Sequence, residues 1–583
     1  MTQLTKLKTA KNLHDVAALL GFKASALSFI LFRMDDASKY KQFDIPKRYG
    51  GIRRICAPLP ELKLVQRRLS DTLQNCVEEI NIANGLNDRI SHGFKRKRSI
   101  ITNAKEHRNR KYVFNVDLTD FFGSINFGRI RGFFMKDKNF SLHEDVATVL
   151  AQIACYNNAL PQGSPCSPVI SNLIGHVLDI HLVRLASHNG CTYSRYADDL
   201  TFSTNKPEFP APIAKRTAGD ESNWRPGNEL ARLVQKSGFE INPLKTRMQY
   251  RDSRQEVTGL VVNRKVNVRS EYRHTVRAMV HHLLTRGSFE FMHKVTDEKG
   301  AVSLNKIAGT TNQLHGMLGF IDSVDQYNKA LNSKVHDSST LTSKESMYRR
   351  FLLFKEFYAA PAPVILCEGK TDNVYILHAI RSLAATYPQL ATTHADGTIK
   401  LTVRIYKYTD TSTGRILGIN GGTSDLSSFM RLYSREIKKF KAPGALQPIM
   451  LLVDNDAGAK EKGKIFNTVK DITKEKVVGS EPFIHVSGNL YVVPTPLKLG
   501  ATQSMIEDFF DDATKSTIVG SKKFDPKNNF DTDTHYGKHV FAQKVVKAHA
   551  DKIDFSEFNT ILSNVVTVID EHAKKHPAVG LVP

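Results

Sequence analysis

The run Thr192–Thr204, TYSRYADDLTFST, decides how this chain reads. Two adjacent carboxylates, Asp198 and Asp199, stand between Tyr193 and Tyr196 on one side and Leu200 and Phe202 on the other. The alternation predicts a β-hairpin with the acids at its tip. Consecutive strand residues point to opposite faces, so only a tight turn lets both acids reach one site. Paired acids on a rigid hairpin suit a divalent cation once a third carboxylate arrives from elsewhere. Asp117, in KYVFNVDLTDFF, closes an apolar strand (Tyr112, Val113, Phe114, Val116) and is the candidate. Alone, an Asp-Asp pair reads as a solvated turn. The rest of the sequence argues otherwise.

Seven blocks stand in order: GGIRRICAP at 50–58, TNAKEH at 102–107, VDLTDFF at 116–122, LPQGSPCSPVISN at 160–172, YADD at 196–199, GFEINPLKT at 238–246 and VTG at 257–259. Together they resemble reverse transcriptases, and TNAKEH and VTG point to the bacterial retron group. The resemblance implies a right-hand polymerase of α+β build, with fingers and palm over 1–262 and an RNA-gripping thumb over 263–333. It implies two Mg²⁺ ions, with Mn²⁺ as an alternative, held by Asp117, Asp198 and Asp199. Arg53, helped by Lys47, would hold the triphosphate of an incoming deoxynucleotide, a task that suits a forked guanidinium. Phe122 would lie under the sugar and exclude a 2′-hydroxyl, although at least one of Phe121 and Phe122 is expected in the core. Gln162, the Gly163 backbone and Tyr196 would line the nucleotide pocket. Lys245 matches a proton donor to departing pyrophosphate, and fits a phosphate contact equally well.

For RNA, the resemblance singles out Asn103 and His107, and Val257, Thr258 and Gly259 as primer-RNA contacts. His107 fits a hydrogen-bonded structural histidine as readily as an RNA contact. The run Lys95–Arg98, beside Phe94, reads as a template or RNA contact.

At 583 residues the chain has room for three or four domains. Its 82 Lys and Arg against 58 acids leave a net charge of +24, which favours a polyanionic partner. No segment is expected to approach the apolar length of a membrane span and no secretory signal is evident, so a cytoplasmic setting without membrane contact is expected. The six cysteines form no C-x-x-C pair, which argues against zinc and against a disulfide framework. Residues 204–228, rich in Pro, Gly and polar groups, read as an inserted surface loop, and 334–346 as the linker to a further domain.

That domain, 347–583, carries a second set of acids. PVILCEGKTDNVYILHAI reads as strand, Glu368-Gly369 turn and helix, and PIMLLVDNDAG as a strand ending in Asp454-Asn455-Asp456. Alternating strands and helices predict a parallel α/β sheet whose site lies at the strands' carboxyl ends. The acids resemble the Toprim fold of primases, topoisomerases and overcoming-lysogenization-type nucleases. That likeness implies one or two metal ions at Glu368, Asp454 and Asp456, with Asp372 and Glu507 as further ligands. The expectation for the whole chain is a retron reverse transcriptase that copies a structured noncoding RNA into branched RNA-linked DNA. A fused Toprim nuclease would act on nucleic acid as an antiphage effector, and a homo-oligomer is compatible with the helical C-terminal segment. The alternatives are a group II intron-like mobile-element reverse transcriptase, and a nucleic-acid-binding scaffold with an inactive Toprim domain.

Overall fold

The computed structural model describes residues 1–46, 51–85, 89–217, 220–296, 302–331, 341–409, 411–461, 463–527 and 530–576. The chain divides into two compact units, the first built mainly on Met1–Tyr272, the second on Arg273–Val295, Val302–Asp322 and Val335–Pro583.

In the first unit, β1 (Tyr40–Pro46) and β2 (Ile52–Pro58) form an antiparallel hairpin. Helix α1 (Pro60–Ala83) follows, with proline in its first turn, where its missing N–H is no loss. Leu62, Val65, Leu69, Leu73 and Cys76 recur at helical spacing and are buried. Helix α2 (Ile100–Glu106) opens on a capping box between Ser99 and Thr102. The palm is a four-stranded antiparallel sheet of β3 (Tyr112–Leu118), β4 (Thr192–Tyr196), β5 (Asp199–Thr204) and β6 (Ile241–Tyr250), in the order β4–β5–β3–β6. Phe114, Val116 and Leu118 of β3 join Leu200 and Phe202 of β5 in the core, which leaves Asp117 and Asp199 on the other face.

Several sequence expectations need correction. Helix α3 (Ser167–His188) is long and apolar enough to cross a membrane, contrary to the reading that no segment approaches this. Of its most apolar 18-residue window, 56% is buried inside the protein, and Val169, Ile170, Ile174, Leu178 and Leu182 join the core. The presumed surface loop at 204–228 contains a hairpin, Ala214–Thr217 with Asp220–Pro226. Phe209, Ile213 and Ala214 are buried there, and the Trp224 indole donates to the Tyr250 hydroxyl at 2.7 Å. The region read as thumb is only partly helical: helices Ser270–Arg286 and Thr311–Leu331 flank paired strands Glu290–Thr296 and Val302–Ala308. Part of the predicted linker, 334–340, lies outside the described residues, and its last residues start a helix, Ser343–Leu353, capped reciprocally by Thr342 and Glu345.

The second unit is built on a five-stranded sheet. Its strands are β7 (Val364–Cys367), β8 (Arg404–Ile405), β9 (Ile449–Val453), β10 (Ile484–Ser487) and β11 (Leu490–Pro494), in the order β8–β7–β9–β11–β10. All pairs are parallel except β10–β11. Near-continuous burial of VILC and IMLLV follows from a sheet covered on both faces. Helices α4 (Asp372–Ser382) and α5 (Thr423–Glu436) complete the α/β frame around β7.

Candidate active site

β4 and β5 are joined by a two-residue turn, since Tyr196 pairs with Asp199 and only Ala197 and Asp198 lie between. Ala197 takes a left-handed φ of +56°, a conformation that costs a residue with a Cβ roughly 1–2 kcal/mol. The turn sets Asp198 at the tip, where its carbonyl accepts from the Leu118 N–H at 3.0 Å. Asp199 pairs directly across the ladder with Asp117, so the two carboxyls share one face at one end of the sheet. The hairpin and the third acid are thus where the sequence placed them.

The electrostatics show negative charge short of compensation. Desolvation, with the charge of Asp117, raises Asp198 above the usual carboxylate range. Asp199 reaches the open side, yet the protein crowding its carboxyl, and the charges of Asp198 and Asp117, push it up to about 7. Asp117, only 6% exposed, is held by the Lys245 ammonium, which donates to its two oxygens at 3.0 and 2.9 Å. Desolvation acts to lower Lys245, but the hydrogen bond and charge of Asp117 reverse this to a net rise. Convergence is partial: among the described residues, no three carboxylate, histidine or cysteine side chains stand at metal-coordinating spacing. The set still fits Mg²⁺, whose hard oxygen shell rests on one or two carboxylates plus water and substrate phosphates rather than on a closed protein cage. A cation there offsets the desolvation and the mutual repulsion that together raise Asp198 and Asp199.

Around the acids, Arg53 on β2 is exposed, and its charge opposes the rise of Asp198. Lys47 lies outside the described residues. The Phe pair divides as expected. Phe121 is buried and stacks on Phe239 at 5.4 Å, whereas Phe122 is half-buried, edge-on to Phe121 and to Phe94 at 5.6 and 6.1 Å. The Gln162 carbonyl accepts from the Cys56 N–H at 2.8 Å, which ties the fingers strand β2 to the loop before α3. Gly163 makes this approach possible: its φ is +123°, and a Cβ would stand 2.8 Å from the Cys56 carbonyl oxygen. Tyr196, half-buried, flanks Asp199 across the hairpin.

Three residues expected to touch RNA do not face outward. Asn103 and His107 are both 0% exposed. Ser194 donates its hydroxyl proton to Asn103 Oδ1 at 2.6 Å, so at 2.7 Å its oxygen accepts from the His107 Nε2–H. His107 Nδ1 then accepts from Ser203 Oγ at 2.8 Å. This fixes a neutral tautomer, and desolvation with the nearby Arg110 charge pushes the imidazole down to about 3. Of the two readings of His107, the buried structural one holds; α2 is pinned to β4 and β5 through it. Val257 is likewise fully buried. Thr258 and Gly259 form the turn of a hairpin, with φ of +47° and +81°, and the Thr258 hydroxyl donates to the Ile100 carbonyl at 3.1 Å. Only Gly259 of the three is exposed.

One network escaped the sequence reading. Arg195, on the core face of β4 and 0% exposed, forms two parallel bonds to Asp179 of α3, Nε to Oδ1 at 2.8 Å and Nη2 to Oδ2 at 2.7 Å. The Tyr193 hydroxyl donates to the same carboxylate at 2.8 Å. Arg195 Nη1 reaches Asn172 Oδ1 at 3.2 Å and the Ala197 carbonyl at 3.1 Å, so the guanidinium clamps the acidic turn from beneath. Asn172 Nδ2 donates to the Gly93 carbonyl at 2.6 Å and completes the link to the 91–93 segment. The signal was present: one acid inside the apolar helix SPVISNLIGHVLDIHLVRL, and one arginine at an inward strand position.

The second set of acids gathers at the carboxyl ends of β7 and β9. Glu368 follows β7, and its Oε2 accepts from the Asp454 N–H at 3.4 Å. Desolvation, with Asp372 and Asp456, pushes Glu368 up to about 7, and desolvation with Asp372, Glu507 and Glu368 pushes Asp454 up to about 8. Asp372 accepts from the Gly369 N–H at 2.7 Å, and Asp456 caps a short helix by accepting from the Ala459 N–H at 2.8 Å. Glu507 is 2% exposed; its Oε2 accepts from Lys538 Nζ at 3.0 Å while Oε1 has no partner. The Gly422 N–H donates to the Glu368 carbonyl at 2.8 Å, so the glycine turn at 418–422 abuts this site. A buried carboxylate oxygen without a donor among several acids suits a cation of the Mg²⁺ kind.

Comparison with known proteins supplies the context. The reverse transcriptase (RNA-dependent DNA polymerase) family matches residues 45–275. The chain is 38% identical over 285 residues to the retron Mx162 reverse transcriptase of Myxococcus xanthus, covering 45% of this chain and 54% of that one. It is 35% identical over 290 residues to the retron Mx65 reverse transcriptase of the same organism, covering 46% of this chain and 62% of that one. With the retron Ec86 reverse transcriptase of Escherichia coli it shares 30% identity over 290 residues, 49% of this chain and 82% of that one. A telomerase from Candida albicans aligns over 54% of this chain and 63% of its own at 11% identity, with a TM-score of 0.30, too low to inform the fold. The chain thus spans little more than half of the two Myxococcus relatives and most of the Escherichia one, and it belongs to the retron reverse transcriptase family.

Proposed function

We propose that this chain is an RNA-directed DNA polymerase of the retron kind, working in the cytoplasm. It copies a structured noncoding RNA into single-stranded DNA joined to that RNA through a 2′-hydroxyl branch. The observation that carries the reading is the direct ladder pairing of Asp117 with Asp199, with Asp198 one residue away in the turn. Asp117, Asp198 and Asp199 would hold Mg²⁺, which when bound supplies charge neutralisation and lowers the barrier to hydroxyl attack on the α-phosphate. Arg53 grips the triphosphate with its forked donors. Phe122, on the open side of the Phe pair, closes the pocket against a 2′-hydroxyl. Lys245, which donates to both Asp117 oxygens, would give a proton to departing pyrophosphate or hold one of its phosphate oxygens. Asp198→Asn is expected to abolish nearly all DNA synthesis from RNA with the fold intact; undiminished synthesis would leave only a nucleic-acid-binding scaffold.

For the second unit we propose a Toprim-like, metal-dependent phosphodiesterase that serves as the effector of an antiphage system. Its support is the buried Glu507 oxygen without a donor, beside Glu368, Asp372, Asp454 and Asp456 at the end of a parallel sheet. Glu368→Ala and Asp454→Ala should each remove phage restriction while DNA synthesis persists. Equal restriction by variant and parent would take the nuclease out of the mechanism.

A further inference from the structure

A cavity of about 620 Å³ opens in the first unit, and its lining includes none of the three polymerase aspartates. Its wall is apolar where Val77 of α1, Phe133, Phe140 and Leu173 of α3 meet. Its lining includes the unbroken basic run Lys95–Arg98 and the ring of Phe94, which is 44% exposed. The basic run is a built feature. Arg96 Nη1 donates to Asn75 Oδ1 at 2.9 Å and to Glu78 Oε1 at 3.3 Å, which fastens the loop to α1. Phe94 and Lys97 take left-handed φ values of +56° and +60°, so the loop folds back on itself rather than extending.

We infer that this cavity receives one unstacked base of a single-stranded RNA segment, with the phosphates on either side of that base held by the Lys95–Arg98 run. The size lies in the range of pockets that enclose one small ligand, about 300–1,000 Å³. An apolar wall with aromatic rings favours a flat, weakly hydrated group, and base–aromatic contact is tolerant of base identity. Asn81 and Asn139 line the same space, and each amide offers both a donor and an acceptor to a base edge. The lining sets the four cations Lys95–Arg98 against Glu78, paired with Arg96, Asp179, paired with Arg195, and Asp137, and this excess of positive charge favours a polyanion over an apolar peptide side chain. A paired base cannot enter, which restricts the ligand to loops, bulges and ends of a folded RNA. The inference rests on the reading of this protein as one that carries a structured RNA, and specifies where an unpaired part of that RNA is held.

The full chain serves as the test object, with binding followed by fluorescence anisotropy. The probes are a labelled short single-stranded RNA, the same strand in an RNA duplex, and a DNA strand of the same sequence. Val77→Trp fills the cavity from α1, and Lys97→Glu reverses a charge in the basic run. Each is expected to weaken single-strand RNA binding by about tenfold, while the duplex is unaffected. Lys97→Glu should also reduce the salt slope by about one. A photoreactive uridine in the single strand is expected to label peptides containing Phe94 or Phe140, a readout that survives if Val77→Trp fails to fold. Unchanged RNA affinity in the folded variants, labelling confined to other surfaces, or tighter binding of the DNA strand would each overturn the inference. DNA synthesis by the parent on a generic primed RNA template, measured in the same preparations, reports separately on the polymerase reading.

Discussion

At the scale of single residues, the Arg195 guanidinium decides where the acidic turn sits. It is fully buried, bonds both Asp179 oxygens and holds the Ala197 carbonyl. Removing one partner of a buried pair leaves an uncompensated charge and costs roughly 3–5 kcal/mol, whereas replacing both by apolar groups of similar volume is close to neutral. Arg195→Met is therefore expected to lower unfolding free energy by about that amount in denaturant titration, and Arg195→Met/Asp179→Leu to regain most of it. The double variant, stable but without its hold on Ala197, should still synthesise DNA poorly; full activity would confine the pair to a stability role. His107 sets a pH dependence of a definite sign. Burial holds it neutral, with its imidazole pushed down to about 3, while the unfolded chain takes up a proton near pH 6.5. Stability is thus fully present above 6.5 and falls by about 1.4 kcal/mol per pH unit on acidification towards the folded value. His107→Gln should be less stable at pH 8 yet lose less on going to pH 5, as read from paired unfolding curves.

At the scale of elements, the geometry of the site depends on close backbone approaches. The 90–93 segment pairs with the end of β4, with the His92 N–H donating to the Arg195 carbonyl at 2.9 Å and the Arg195 N–H to the Ile90 carbonyl at 2.8 Å. A Cβ at Gly93 would stand 2.6 Å from the Ala197 nitrogen, so this segment lies on the acidic turn only because position 93 has no side chain. Gly93→Ala is predicted to push the two apart at an overpacking cost of about 1–3 kcal/mol. DNA synthesis should fall further than stability does, because an ångström-scale displacement of reacting groups costs about a hundredfold in rate. Wild-type turnover in Gly93→Ala would show that the turn tolerates the shift. Residues 204–228 are polar and broken by Pro and Gly, yet Phe209 and Ile213 anchor them in the core.

At the scale of the whole molecule, the charge of +24 is the dominant long-range property. A protein that neutralises six to ten phosphates loses about 10³–10⁵ in affinity between 50 and 200 mM salt. Binding of RNA to this chain is expected to fall by at least about a thousandfold over that interval; a flat response would mean that the positive charge serves something other than nucleic acid. The division into two units bears on domain organisation, since residues 273–295 and 302–322, read as thumb, pack with the C-terminal unit.

The sequence by itself determined the hairpin that carries Asp198 and Asp199, the strand that carries Asp117 and the mostly parallel sheet of the second unit. It could do so because face and element are local properties: a period of two places Asp117 and Asp199 away from Phe114 and Phe202 whatever lies around them. It also placed at least one of Phe121 and Phe122 in the core, and Phe121 is the buried ring. Only the tertiary structure decided that Asn103, His107 and Val257 are interior, that Arg195 is matched by Asp179, and that a basic loop folds over a cavity beside α1 and α3. Those outcomes depend on which polar group meets which across long stretches of chain. A histidine or arginine carries the same letter in solvent and in the core, and packing alone removes the water that would otherwise satisfy it.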